Sequence, residues 1–191
     1  MKPPIGRPRD PRIDAAVLRK TAALVRKLGY ADVTIAAIAE AAGTTKPAIY
    51  RRWPSKAHLV HEAVFPEGEL LALPDTGSFA GDLREMLRRT SAAFTAPAAR
   101  AALPGLVGEI VTDPTLHAAL LERFGGVFTD LTARLDEARA SGEIRTTVDS
   151  STVIELLTGA VLSTLLIRSV DALDDTWVEQ TADLITRGLT G

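Results

Sequence analysis

Apolar residues recur at spacings of three and four along most of this chain, and strand-like alternation is scarce. That period marks helices with one buried face. The first stripe is Ile13, Val17, Leu18, Ala22, Leu24, Val25 and Leu28. It predicts a helix over 10–29, with Asp10 as cap, Pro11 at the first helical position and Gly29 as terminator. Ile35, Ile38, Ala39 and Ala42 predict a second, shorter helix, opened by Thr34 and closed by Gly43. Thr45 caps a third, from Lys46 to Trp53, whose inward-facing residue is Ile49. Pro54 interrupts the chain, and Ser55 opens a fourth helix over 56–65. Residues 66–78, PEGELLALPDTGS, carry too many breakers for a helix and predict a loop.

Beyond the loop the stripes lengthen. Phe79, Leu83, Met86, Leu87 and Phe94 predict a helix over 78–95. Pro97 opens another to about 111, with a kink or break expected at Pro104-Gly105. Asp113-Pro114 starts a long one toward Ala140, which Gly125-Gly126 is expected to bend or split. The last two run over 150–169 and 174–188. The first of these is apolar on more than one face, with Leu156, Leu162 and Leu166 beside Ile154, Leu157 and Val161. Such a helix must bury a second face. A second copy of the chain solves this, two helices from each forming a four-helix bundle. A single buried central helix is the other solution. The whole reads as all-α, about nine helices in three parts. These are a flexible basic arm (1–9), a three-helix helix-turn-helix unit with a connector helix (10–65), and a ligand-binding and dimerisation domain (66–191).

Charge separates these parts. The chain's formal charge is −2, but residues 1–60 hold 12 Lys and Arg against 4 Asp and Glu, while 61–191 hold 10 against 20. The first segment has an electrostatic reason to seek a polyanion and the second would be repelled by one. Lys46, Tyr50, Arg51 and Arg52 face away from Ile49 on the third helix. A helix, a Gly-containing turn and a short basic helix form the arrangement that enters the major groove of DNA.

The order Thr45, Lys46, Pro47, Ala48, Ile49, Tyr50, Arg51, Arg52, Trp53, Pro54, Ser55, Lys56 makes the likeness specific. With the helix before it, the stretch resembles the DNA-binding motif of the TetR family of bacterial transcriptional regulators, over roughly residues 10–65. The remainder resembles that family in length and helical character. The resemblance implies a homodimer held by the two last helices. It also implies a small effector in the C-terminal domain that shifts the connector helix and weakens binding to double-stranded, palindromic operator DNA. Lys46 and Pro47 would meet base edges or thymine methyls, and Arg51 would read guanine. Thr34, Thr45, Tyr50, Arg52 and Lys56 would hold phosphates. Arg7 and Arg9 either meet DNA, in the minor groove or at phosphates, or belong to a frayed tail. Ala36 stands where some members carry a longer polar residue. Arg51-Arg52 replaces the more usual aromatic/His pair, so base and phosphate contact stay open between the two.

A hydrophobic effector has candidate contacts in Phe94, Leu103, Leu106, Val107, Ile110, Leu120, Phe124 and Phe128, with Glu109 and His117 as polar groups, from three helices broken by Pro and Gly. The same residues could simply be core, and for any single one of them core is the stronger reading. Other chemistry finds little support. There is no cysteine, so no disulfide and no thiolate site. GLVGE at 105–109 lacks the third glycine of a dinucleotide fingerprint. His58, His61 and Glu62 lack a third His or a Cys to complete a metal site, and read as a polar connector face. Glu109, Asp113 and His117 have no nucleophile among them. No metal, cofactor or catalytic function is expected. No apolar run reaches the ~18 residues of a membrane span, and the basic N-terminus lacks a signal-peptide core, so a cytoplasmic protein is expected. An activator of the same fold, a ligand-binding module without specific DNA recognition, and a small helical enzyme are the competing readings.

Overall fold

The computed structural model describes residues 11–66, 72–145, 147–168 and 170–190. Among them are nine α-helices and no strand. They are α1 (Pro11–Asp32), α2 (Ile35–Ala41), α3 (Lys46–Tyr50), α4 (Lys56–Val64), α5 (Phe79–Thr95), α6 (Pro97–Thr112), α7 (Pro114–Ala140), α8 (Ser150–Ile167) and α9 (Asp175–Thr190). A short 3₁₀ turn, Val170–Ala172, joins the last two. Arg7, Arg9 and the Asp10 cap lie outside the described residues.

The capping residues act as their chemistry dictates. The side chains of Thr34, Thr45, Ser55, Ser78, Asp113 and Asp149 each accept a hydrogen bond from a first-turn backbone N–H. Each satisfies a donor with no intrahelical partner. Gly29 takes φ 81°, a conformation open to glycine, and kinks α1, which then continues to Asp32 instead of ending there. Gly43 takes φ 63° in the turn between α2 and α3.

Two apolar cores result. The first joins Val17, Val25, Ile38, Ile49, Trp53 and Leu59 of the N-terminal segment to Ala99, Ala102 and Leu106 of α6 and Leu116 of α7. The second joins Phe79, Leu83 and Leu87 of α5 to Leu131 and Leu135 of α7. Val153, Leu157 and Val161 form the inward face of α8 there, and Val178 and Leu189 of α9 complete the cluster.

Helix α6 lies beyond the loop in sequence but packs on α1 and α4. Gly105 permits this, because a Cβ there would collide with the ring of Tyr30. The expected break at Pro104-Gly105 does not occur, since α6 is one helix with Pro104 exposed. On that open side water can satisfy the carbonyl that proline leaves unpaired. Helix α7 likewise runs unbroken through Gly125-Gly126. In α1 the expected stripe is shifted. Ile13 and Leu28 are exposed, while Thr21 is buried and donates its hydroxyl proton to the Val17 carbonyl at 2.8 Å.

Asp82, buried in the second half of the molecule, receives Arg134 of α7 at 2.8 Å and the Thr76 N–H at 2.8 Å. It fixes the loop before α5 to α7. Helix α8 is not wholly buried within one chain: Leu166 is 85% and Ile167 81% exposed, and Leu184 of α9 is 72% exposed. By length and composition α8 is apolar enough to cross a membrane, although Glu155 stands within it and its apolar run is not continuous over ~18 residues. Here it packs against α5 and α7.

Candidate nucleic-acid interface and effector cavity

Helix α3 is held from behind by Ile49, 1% exposed, and by Trp53, whose indole N–H donates to Glu62 of α4 at 2.7 Å. The helix itself ends at Tyr50, earlier than expected, and Arg51 and Arg52 continue as a turn. Lys46, Pro47, Tyr50 and Arg51 are exposed on the outer side. Thr34 and Thr45 stand at the N-termini of α2 and α3, both exposed, with their hydroxyl oxygens engaged as caps at 3.2 and 3.3 Å.

Two cations expected at phosphates are placed differently. Arg52 turns inward, pairs with Asp14 of α1 and donates to the Ala48 carbonyl at 3.3 Å, with a side chain only 10% exposed. The phosphate expectation for Arg52 is therefore corrected: the guanidinium ties α3 to α1. Lys56 opens α4, and its ammonium donates to the Tyr30 carbonyl at 3.0 Å and lies 4.2 Å from the centre of the Tyr30 ring.

Tyr30 also reaches the other way. Its hydroxyl donates to Glu109 of α6. Burial first, and the Glu109 carboxylate second, push its phenol above the ordinary range. Glu109 therefore bridges α6 and α1 rather than entering a cavity. Sequence reasoning missed this role of Tyr30; its only signal was an aromatic residue directly after the glycine that kinks α1.

A cavity of about 240 Å³ lies between α4, α5, α6, α7 and α8. Phe94, Leu103, Leu106, Val107, Ile110, Leu120 and Phe124, seven of the candidate effector contacts, line it. Glu109, His117 and Phe128 do not, and that part of the expectation is corrected. His117 faces outward on the first turns of α7. The sequence reading missed His61 and Phe65 of the α4 segment, Met86 and Thr90 of α5, and Ile154, Leu157, Thr158 and Leu162 of α8. His61 does not lie on a polar connector face. It is 7% exposed, and its ring lies 5.3 Å from that of Phe65 and 6.4 Å from that of Phe124. Burial, then Arg123 and His58, lower its pKa to about 4, so it is neutral at pH 7. Among the described residues no group of three or more His, Asp or Glu is placed to hold a metal.

A capped two-helix unit with an exposed cationic second helix, joined to a helical domain with an apolar cavity, defines a helix-turn-helix regulator. Comparison with known proteins gives the family. Residues 17–63 match the family model "Bacterial regulatory proteins, tetR family", and residues 73–185 match "Tetracyclin repressor-like, C-terminal domain". The chain is 31% identical over 188 residues to the uncharacterized HTH-type transcriptional regulator Rv1556 of Mycobacterium tuberculosis, covering 96% of this chain and 89% of that one. It is 28% identical over 192 residues to the uncharacterized HTH-type transcriptional regulator YdeS of Bacillus subtilis, covering 97% and 92%. The crystal structure of the TetR family transcription regulator SCO0332 superposes with a TM-score of 0.70 at 31% identity, covering 93% and 98%. The chain belongs to the TetR family of transcriptional regulators.

Proposed function

We propose that this protein is a homodimeric repressor that binds a palindromic operator and releases it on taking up a small hydrophobic effector. Residues 10–65 serve as the DNA-binding unit and 66–191 as the ligand-binding and dimerisation domain, working in the cytoplasm. The carrying observation is the outer side of α3 and of the turn after it, where Lys46, Pro47, Tyr50 and Arg51 are exposed while Ile49 and Trp53 fix the helix from behind. Lys46, Pro47 and Arg51 address base edges, and Tyr50, Thr34, Thr45 and Lys56 the backbone. Arg7 and Arg9 supply the arm.

The exposed Leu166, Ile167 and Leu184 suit burial against a second copy. Two α3 helices then address major grooves about 34–36 Å apart, or a multiple of that. Tyr30 links the cavity to the interface. Helix α6, which carries Leu106, Val107 and Ile110 in the cavity wall, holds Tyr30 through Glu109, and Tyr30 holds Lys56. An effector that displaces α6 or α4 changes where Lys56 stands. It must favour the displaced state to act at all.

The test is selection from a random DNA library by the purified protein at several salt concentrations, with sequencing of the bound fraction. A palindrome is enriched, and affinity falls steeply as salt rises. Recovery of no common sequence, or binding indifferent to salt, overturns the reading.

A further inference from the structure

We infer that the cavity selects an uncharged aromatic molecule of one or two rings carrying one hydrogen-bonding group, and that His61 receives that group. The inference rests on the effector reading of the cavity and adds the ligand's class and the residue that chooses it.

Size sets the first limit. An apolar cavity of about 150 Å³ holds a benzene, so 240 Å³ takes a substituted ring or two fused rings. The walls set the second. Phe65 and Phe94 stand 5.1 Å apart between centres, and with His61 and Phe124 they present four rings to the space. Offset and edge-on contact with such rings favours another flat ring.

The polar groups set the third. Thr90 donates to the Met86 carbonyl at 2.8 Å, and Thr158 donates to the Ile154 carbonyl, so both hydroxyl protons are engaged within their own helices. His61 is different. It is more than nine-tenths buried, lines the cavity, and neither ring nitrogen has a hydrogen-bond partner among the described residues. It also borders an outer groove with His58, Glu62 and Arg123. A neutral imidazole has one donor and one acceptor nitrogen, so it can serve a hydroxyl, an amine or a carbonyl.

Charge sets the fourth. Among the described residues no Lys, Arg, Asp or Glu lines the cavity. Arg123 borders the outer groove instead and donates to the Phe65 carbonyl at 2.5 Å. A carboxylate would lose its water without a cation in the cavity to replace it. The contact also falls on α4, the helix that begins with Lys56, so the chosen group acts directly on the connector.

The test uses 1-naphthol, naphthalene and 1-naphthoate as probes of one shape, with affinity measured by calorimetry on the full-length protein at neutral pH. Naphthol binds most tightly, naphthalene about tenfold more weakly, and naphthoate at least about a hundredfold more weakly. His61→Leu removes the preference of naphthol over naphthalene, and His61→Gln, which keeps a donor and an acceptor, retains it. Circular dichroism of each variant checks folding, and the wild-type ranking stands as a test if a variant does not fold. Naphthoate equal to or tighter than naphthol, an unchanged preference in a folded His61→Leu, or no binding of any probe overturns the inference. Binding in the expected order without release of the selected operator leaves the ligand class standing and refutes the effector reading instead.

Discussion

The two cores are made of the same element and use their surfaces in opposite ways. Around the first, α2, α3 and α4 are short, and Lys46, Tyr50 and Arg51 stand exposed at α3 and the turn after it. Around the second, the helices are long, and Leu166, Ile167 and Leu184 stay exposed. The cavity lies where helices of both cores meet. One region presents charge to a partner that brings the opposite charge, and the other presents apolar surface to a partner that brings the same.

This contrast is most exposed to test at the apolar face. Leu166→Glu with Leu184→Glu is expected to give a monomer by sedimentation equilibrium. Loss of bivalent contact then weakens operator binding by about 10²–10⁴-fold. A variant that stays dimeric would show that this face is not the interface.

The second test concerns the buried imidazole between the cores. The pKa of His61 falls from 6.5 unfolded to about 4 folded. Between those values the unfolded chain binds the extra proton, so stability is complete above pH 6.5 and falls as pH drops toward 4. The shift corresponds to at most about 3 kcal/mol. Denaturation across that window is expected to show the loss, and His61→Phe to flatten it. Equal slopes in both proteins would remove His61 as the cause.

Specificity supplies the third. Arg51→Ala should cost about 1–3 kcal/mol at one base pair per half-site and relax the preference there. Lys56→Ala should weaken matched and mismatched sites alike. The same profile from both variants would end the division into base and backbone contacts.

The smallest effect is expected at the bridge. Tyr30→Phe keeps the ring under Lys56 and removes the bond to Glu109, at a cost of about 0.5–1.5 kcal/mol in denaturant unfolding. It should also reduce the effect of bound 1-naphthol on operator affinity. An unaltered effect would place the coupling outside Tyr30.

Much of the first region was legible because its determinants are local. Thr34, Gly43, Thr45, Pro47 and Ser55 act on backbone within a few residues of themselves, so the turn and both helix starts follow from the residue order. The cavity was half legible. The rings and aliphatic residues of α6 and α7 could be named as apolar, but His61 on α4 and Thr158 on α8 reach the same space from distant segments. Nothing in their own neighbourhood announces it.

The helical period, the capped helix-turn-helix, the separation of charge between the two segments and the surplus apolar face of α8 all follow from the order of residues. That Arg52 pairs with Asp14 instead of facing outward, that Glu109 holds Tyr30, and that His61 borders the cavity follow only from how the helices pack. Caps and periods arise from hydrogen bonds and side-chain spacing within one helix. The direction of a long polar side chain depends on which partner a distant segment brings within reach.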